Sequence, residues 1–261
     1  MLTKTLITVL LFAAPQIITG PYRKVFSAGG GCPGFPATNL QLKSTNVTGS
    51  GGSNVTTWPD SSGHSVAVSF SGSALLPTID NLHNAPNGQQ SIQMLGNQTG
   101  VLTPALALSQ QWTVCAVYEL NDVSVPHALT TDGVGGGGFN YNVVGTSDTP
   151  QYINNSFSAF IVQASETPLV NHIMTTCVAA DTTSAATFYR WDGTNSGVDA
   201  ITPPFTASTL TQGIGAVFSD NSASSPMQGY IWQLDIIGGT IINGTQAAAY
   251  HTCAVNTYGV P

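Results

Sequence analysis

The chain has 261 residues, of which 42% are hydrophobic and 7% are charged, where roughly a quarter charged is usual for soluble proteins. Its formal net charge is -7, with five Lys and Arg against twelve acidic residues. No basic cluster is present to neutralise a phosphate backbone, so composition argues against a nucleic-acid partner. The hydrophobic content excludes a disordered chain, and the length suits a large all-β sandwich.

Residues 1–37 are predicted to form an N-terminal arm that ends in a glycine-rich joint. Lys4 precedes an apolar run, Leu6–Ala14, with the length of a signal-peptide core, but Pro15 and Gln16 make a poor cleavage site. We therefore favour an uncleaved arm that docks on a neighbouring protein over a cleaved secretory signal or an arm that folds back on its own sandwich. The run is shorter than the about twenty residues that span a bilayer, so no membrane span is predicted. The docking residues are Leu6, Ile7, Val9, Leu10, Leu11, Phe12, Ile17 and Ile18.

Residues 38–261 are predicted to form one antiparallel jelly-roll β-sandwich. Short runs with alternating or β-branched patterns recur between Gly, Pro, Asn and Asp, and almost no helical pattern precedes Gln246. No strand–helix alternation or fixed-period repeat is present, which favours a sandwich of the all-β class. The predicted strands are Leu40–Lys43, Ser65–Ser71, Ser91–Leu95, Trp112–Leu120, Ala128–Thr131, Phe139–Val144, Ser156–Gln163, His172–Ala180, Thr187–Trp191 and Gly213–Phe218.

The clearest alternation lies near the C-terminus, within Met227–Ile241. It predicts a strand with one buried face, carrying Tyr230, Trp232, Leu234 and Ile236, and one wetter face, carrying Gln233 and Asp235. After a Gly-Gly turn, Asn243 can start one short helix over Gln246–Val255. The predicted core contains Trp112, Val114, Ala116, Trp232, Leu234 and Ile236.

The four cysteines lack the Cys-x-x-Cys spacing of zinc sites. Cys115 and Cys177 fall inside strand-like runs and could be cross-strand neighbours, whereas Cys32 and Cys253 lie near the two ends of the domain and could join them. Small buried thiols are the alternative. The sequence leaves both disulfides open.

The ordered set of segments resembles the concanavalin A-like lectin/glucanase superfamily, specifically its laminin-G-like jelly rolls, over about residues 38–261. The similarity lies in Thr57–Gly63, Gly88–Gly96, Gln111–Tyr118, the Asp-Gly hairpin within Phe188–Gly193, and the closing strands and helix from Gly213 to Gly259. Such domains occur in bacterial extracellular and phage virion proteins, and the architecture serves lectins, hydrolases and adhesion modules. The resemblance therefore implies a fold and leaves function open.

The acidic residues give no hydrolase motif. Glucanases of this superfamily carry Glu-x-Asp-x-x-Glu on one strand to supply the two carboxyls that glycoside hydrolysis needs, and this chain lacks that motif. Glu119 and Asp122 lie three residues apart without a third acid, and Asp235 has no acidic partner two residues away, so these carboxylates are interpreted as solvated or turn residues. We predict that the protein is not an enzyme.

Histidines and glycines give no cofactor motif either. His64, His83, His127, His172 and His251 lack metal-ligand spacing. Gly133–Gly138 formally matches Gly-x-Gly-x-x-Gly, but a strand-like run follows it where a dinucleotide site needs a helix. No cofactor or metal is predicted; calcium, which family members bind through clustered Asp, is the one alternative considered. Its candidate ligands are Asp132, Asp148, Asp192 and Asp220.

Sugar binding is harder to dismiss, because it needs only aromatic rings and hydrogen-bonding side chains in a concave site. Aromatic residues at alternating strand positions also commonly belong to the core. The candidate glycan-binding residues are Asn140, Tyr141, Asn142, Tyr189, Trp191 and Asp192.

These observations lead to one functional hypothesis and two alternatives. The hypothesis is a non-enzymatic virion structural or decoration protein, anchored by its arm to coat or tail proteins or to sister copies and displaying a lectin-like sandwich that contacts cell-surface glycans. The alternatives are a secreted bacterial carbohydrate-binding module or adhesin and, less favoured, a glycan hydrolase. The expected location is a virion surface, or else the extracellular space.

Overall fold

Antiparallel strands form two sheets in a computed structural model of the protein. The structure describes residues 32–70, 75–83, 85–96, 98–108, 111–122, 127–131, 140–144, 149–153, 171–181, 185–193, 196–201, 212–218 and 227–261. Within these ranges lie fifteen strands, one short 3-10 turn and one α-helix. The predicted all-β antiparallel sandwich with a C-terminal helix is confirmed. Residues 1–31 of the predicted arm, which include all eight docking residues, and the predicted strand Ser156–Gln163 lie outside the described residues.

The first sheet, sheet A, contains eight strands within the described ranges. Seven follow the order β13-β12-β11-β7-β15-β5-β4, and β1 pairs with β15 beyond the end of β5. Its strands are β1 (Leu40–Lys43), β4 (Thr78–Asp80), β5 (Ser91–Leu95), β7 (Gln111–Leu120), β11 (Met174–Asp181), β12 (Ala185–Trp191), β13 (Ser196–Ile201) and β15 (Gln228–Gly238).

The second sheet, sheet B, contains seven strands in the described residues, in the order β10-β9-β8-β14-β6-β3-β2. They are β2 (Thr57–Pro59), β3 (Ala67–Phe70), β6 (Gly100–Leu108), β8 (His127–Thr131), β9 (Asn140–Val144), β10 (Thr149–Ile153) and β14 (Gln212–Val217). Strand β6 was not predicted, because Pro104 interrupts its pattern. Its pairing with β14 shifts between Leu106 and Val101, and such an irregularity tolerates a residue that cannot donate a ladder hydrogen bond.

The main core lies between the two sheets. Sheet A contributes alternate residues of β7, among them Trp112, Val114 and Ala116. Sheet B contributes Trp58, whose ring stacks on that of Phe218, directly after β14, with centroids 5.6 Å apart. All six predicted core residues are buried. The alternating pattern of β7 therefore predicted correctly which of its residues enter the core.

The prediction that one face of β15 carries Tyr230, Trp232, Leu234 and Ile236 is wrong. The pairing of β15 with β7 shifts between Ile231 and Gln233, because an extra residue forms a β-bulge. A bulge reverses the facing of every later side chain. Leu234 and Ile236 consequently enter the main core, whereas Trp232 belongs to a second apolar cluster.

The second cluster lies on the outer face of sheet A, under helix α1 (Gly244–Tyr258). Asn243 caps the helix in a capping box: its Oδ1 accepts from Gln246 N, and Gln246 Oε1 accepts from Asn243 N. Gly259 ends the helix with a φ of 70°, a left-handed conformation that favours glycine. Buried Tyr250 and Tyr258 face the sheet.

Two disulfides link these elements. Cys115 of β7 bonds to Cys177 of β11, and the two residues are directly opposite in the antiparallel ladder. Cys32 bonds to Cys253 of α1 and so ties the segment before β1 to the helix. These are the two pairings that the sequence left open. No helix among the described residues is long and apolar enough to cross a membrane.

Candidate functional site

A polar cluster lies on the outer face of sheet A, over the adjacent strands β5, β15 and β7. We call it the His83 cluster, and it consists of His83, Gln93, Glu119 and Tyr230. Strand register builds it, since Tyr230 is the direct partner of Gln93 on one side and of Glu119 on the other. Side chains at opposed positions lie on the same sheet face, so three strands present these groups together.

Glu119 is the buried acid of the cluster. Its side chain is 3% exposed, and Oε1 lies 2.8 Å from Nε2 of His83, whose side chain is 38% exposed. The distance is that of an ion pair when the imidazole is protonated, but Oε1 makes no hydrogen bond of good angle. Burying a carboxylate without full hydrogen bonding is costly. The interpretation of Glu119 as a solvated or turn carboxylate is therefore wrong.

Two rings and an amide lie on the same sheet face as this acid. The imidazole of His83 stacks on the ring of Tyr230, with centroids 3.9 Å apart and planes 8° apart. Gln93 Nε2 donates to the Tyr230 hydroxyl over 3.4 Å. His83, Gln93 and Tyr230 are all partly exposed. The cluster thus presents a flat aromatic surface and an amide, with a buried carboxylate behind His83.

The backbone around His83 is held on both sides. Asp80 Oδ1 accepts from the backbone N–H groups of Leu82 and His83, and the His83 carbonyl accepts from the hydroxyl of Ser91. These hydrogen bonds hold the main chain of His83 in place. The imidazole can therefore move by rotation of the side chain alone. Leu82 next to it is 99% exposed.

Gly229 lets β15 approach β7 at this point. It has a φ of 150°, and a Cβ added there would lie 2.0 Å from the carbonyl oxygen of Glu119. Any larger residue would push the two strands apart. The glycine therefore helps to set the spacing between Tyr230 and Glu119.

A second polar group lies deeper, between sheet A and α1. We call it the buried polar network. Asp235 Oδ2 accepts from Gln233 Nε2 at 2.6 Å and from the Tyr250 hydroxyl at 2.8 Å, and Oδ1 accepts from Gln41 Nε2 at 2.8 Å. The hydroxyl of Tyr258 donates to Gln233 Oε1 at 2.9 Å. The prediction of a wetter face at Gln233 and Asp235 is wrong, because the helix covers both residues.

Burial is the largest cause of the pKa shifts of Asp235, Tyr250 and Tyr258 in this network. It raises the pKa of Asp235, against the opposing effect of the hydrogen bonds from Gln233, Gln41 and Tyr250. Burial first, and then the charge of Asp235, raises the pKa of Tyr250 well above its ordinary value of 10.0 and also raises that of Tyr258. The tyrosines therefore remain hydrogen-bond donors, and the network attaches the helix to the sheet.

The predicted glycan-binding residues fall on two different sheets. Asn140, Tyr141 and Asn142 belong to β9 of sheet B, and Tyr189 and Trp191 to β12 of sheet A, with Asp192 directly after it. Sugar binding by this set stays a prediction.

The β12 members of that set are largely engaged within the protein. Tyr189 is buried, with its hydroxyl 3.4 Å from the carbonyl of Ile242, and Asp192 is buried in a 2.6 Å ion pair with Arg190. Trp191 is partly exposed and stacks on His251 of α1 at 4.8 Å. Trp191 is therefore the one residue of the three whose ring reaches the surface.

Sequence reasoning missed most of the His83 cluster. The sequence gives His83 no metal-ligand spacing, its alternation places Tyr230 on the buried face of a strand, and no pattern singles out Gln93. The four residues come from segments far apart in the chain, so no local spacing could have identified them. No group of three potential metal ligands occurs among the described residues. Asp132, Asp148 and Asp220, three of the calcium candidates, lie outside those ranges.

The fold is shared with carbohydrate-active and toxin domains. An arabinofuranosidase complexed with arabinofuranosyl-α-1,2-xylobiose superposes with a TM-score of 0.56 and 12% identity, over 87% of this chain and 61% of that one. Domain 4 of a GH43 extracellular arabinanase from Geobacillus stearothermophilus, in complex with arabinotriose, gives 0.56 and 14%, over 81% and 97%. The binding domain of botulinum neurotoxin serotype D gives 0.53 and 10%, over 86% and 54%.

These likenesses show the fold and nothing finer. The chain spans less than two thirds of the arabinofuranosidase but nearly all of the arabinanase domain. No protein-family model matches the sequence, and no curated protein matches it. The resemblance to lectin-like jelly rolls is confirmed at the level of the β-sandwich, and membership of the laminin-G-like family stays a prediction.

The prediction that the protein is not an enzyme is wrong. It depended on the absence of one catalytic strand motif, yet two of the structural neighbours are an arabinofuranosidase and a domain of a GH43 arabinanase. The same fold also occurs in a toxin binding domain. A missing motif from one superfamily therefore does not exclude catalysis.

Proposed function

We propose that this protein is a carbohydrate-binding β-sandwich and that the His83 cluster is its sugar-binding site. One observation carries the proposal: a buried carboxylate, Glu119, lies beside a partly exposed pair of stacked rings, His83 and Tyr230. Sugar recognition combines an aromatic surface for the apolar ring face with polar groups for the hydroxyls. Partly exposed Gln93 is placed to donate to those hydroxyls, and rotation of the His83 side chain would open Glu119 to accept from them.

The two disulfides support an oxidising location. Both Cys115–Cys177 and Cys32–Cys253 are formed, and structural disulfides are rare in reducing compartments. We therefore propose that the sandwich works in the extracellular space or on an external surface.

The binding test uses the full chain and neutral oligosaccharides of arabinose, xylose, glucose, galactose and N-acetylglucosamine, measured by calorimetry and ligand-observed NMR. We expect at least one series to bind, and Tyr230→Ala to weaken that binding about tenfold or more through loss of the aromatic contact. Trp191→Ala is the matched control on the other partly exposed aromatic residue. A loss with Trp191→Ala but not with Tyr230→Ala would move the site to β12, and no binding in any series would refute the function.

The same incubations are followed for cleavage products by chromatography. Glycoside hydrolysis uses two carboxyls about 5 to 9.5 Å apart, and Glu119 is the buried acid of the proposed site. Product formation that Glu119→Gln abolishes would assign the protein to the hydrolases, and its absence with binding retained would assign a binding role.

Placement on a virion surface, with residues 1–37 docking on coat or tail proteins or sister copies, stays a prediction. Helix α1 holds Cys32 through its disulfide, so residues 32–261 contain both bridges. Deletion of residues 1–31 keeps both disulfides and is expected to leave a folded domain that no longer joins particles. Normal incorporation of the truncated protein would contradict the docking role.

A further inference from the structure

The imidazole of His83 covers the two groups of the cluster that the proposed site offers to a sugar. It stacks on Tyr230 with ring centroids 3.9 Å apart and planes 8° apart, so it covers one face of the phenol ring. Its Nε2 lies 2.8 Å from Oε1 of Glu119, whose side chain is 3% exposed. One side chain therefore takes up both an aromatic face and the buried carboxylate.

Both contacts are of a strength that a ligand can replace. The His83 side chain is 38% exposed, so water competes for the imidazole, and Oε1 of Glu119 has no hydrogen bond of good angle. One stacked ring pair and one partly exposed ion pair together correspond to about tenfold in an equilibrium constant. The observed position of the imidazole is thus favoured but not locked.

The imidazole can leave this position while the main chain stays in place. The backbone N–H groups of Leu82 and His83 donate to Asp80 Oδ1 at 2.6 and 2.9 Å, which holds the loop. Leu82 is 99% exposed, so its side chain does not pack over the imidazole. The buried ring of Trp232 lies 6.2 Å from the imidazole and limits rotation towards the sheet. A step to another staggered rotamer therefore carries the ring outwards, into solvent.

We infer that His83 is a gate of the sugar site. It is closed in this structure, and it rotates outwards as a sugar takes its place on Tyr230 and beside Glu119. The inference rests on the proposed function, because it adds a regulating residue to the same site. A gate reduces the measured affinity by the fraction of molecules that are open, and the two closing contacts set that fraction at about one in ten.

The first test follows the imidazole by NMR in the unmodified full-length protein. A ring stacked on a tyrosine lies in its ring current, which shifts the Hδ2 and Hε1 signals upfield. The probe is the tightest-binding oligosaccharide among the arabinose, xylose, glucose, galactose and N-acetylglucosamine series. Saturation with it should move the His83 signals towards those of exposed His64. An upfield shift that persists at saturation overturns the gate.

The second test removes the gate. His83→Ala uncovers Tyr230 and Glu119, so the same oligosaccharide is expected to bind about tenfold more tightly in calorimetry. Unchanged or weaker binding by a variant with the wild-type urea midpoint would mean that His83 does not compete with the sugar, and would overturn the gate. His64→Ala, in the turn before β3, is the matched control and should leave the affinity unchanged.

The tests also allow for a poorly folded variant. His83→Ala removes the partner of a buried carboxylate, which can lower stability. If its urea midpoint falls, the NMR comparison decides, since it needs no substitution at the site.

The outcomes separate the gate from the proposed function. Sugar binding with the imidazole still stacked on Tyr230 overturns the gate and leaves the sugar-binding proposal intact. Failure of all five series to bind the wild-type protein overturns both.

Discussion

At the scale of single residues, the hydroxyl of Tyr250 attaches α1 to the sheet. It donates to Asp235 at 2.8 Å in a fully buried setting. Tyr250→Phe should lower the free energy of unfolding by about 1.5 to 3 kcal/mol, the range for hydrogen bonds to charged groups. Urea denaturation measures this. Thr252→Ala, which removes an exposed hydroxyl from the same helix, should change it by less than about 0.5 kcal/mol; equal losses would contradict the role of the network.

Asp235 should make stability depend on pH in an unusual direction. Because burial raises its pKa, the folded state binds the proton more tightly than the unfolded chain. The stability from this group is fully present below its ordinary value of 3.8 and is lost as pH rises through the raised pKa.

The Asp235→Asn variant isolates that effect. The difference in free energy of unfolding, wild type minus variant, should fall as pH increases from about 4 upwards. Urea titrations at several pH values measure it. A difference that is constant, or that grows with pH, would show that the folded state does not raise this pKa.

At the scale of elements, sequence reasoning succeeded where a local pattern is decisive. The strands Leu40–Lys43 and Ser91–Leu95 were predicted with their observed bounds, and Asn243 starts the helix as its residue type indicates. Reasoning failed at β15 because a single bulge, which no composition rule predicts, turns Trp232 away from the main core. The His83 cluster was missed for the same reason: strand register between distant segments creates it.

The capping box of α1 gives a prediction at this scale. Asn243→Ala removes the acceptor for Gln246 N, one of the backbone donors that the first turn leaves without an intrahelical partner. A loss of about 1 kcal/mol in the free energy of unfolding is expected. Asn256→Ala, an exposed substitution in the last turn of the same helix, is the control, and thermal unfolding of both variants decides whether the cap matters.

At the scale of the whole molecule, the outer face of sheet A carries both helix α1 and the His83 cluster. Helix α1 packs on sheet A through the second apolar cluster and the buried polar network, and the Cys32–Cys253 bridge fixes the chain before β1 to that helix. The His83 cluster lies on the same face but over β5, where the described residues include no helix. A rigid scaffold beside a partly exposed polar cluster suits a preorganised binding site.

The two disulfides should respond differently to reductant. Cys115 and Cys177 are both 0% exposed, whereas Cys253 is partly exposed, so thiol exchange can reach the Cys32–Cys253 bridge first. Under mild reduction, alkylation and peptide mass spectrometry should detect labelled Cys32 and Cys253 while Cys115 and Cys177 remain bonded. The Cys32→Ser, Cys253→Ser double variant should match the partly reduced protein in its urea midpoint. Labelling of Cys115 and Cys177 at the same rate would mean that the sheet itself opens, because neither sulfur can be attacked while the two strands remain paired under the helix.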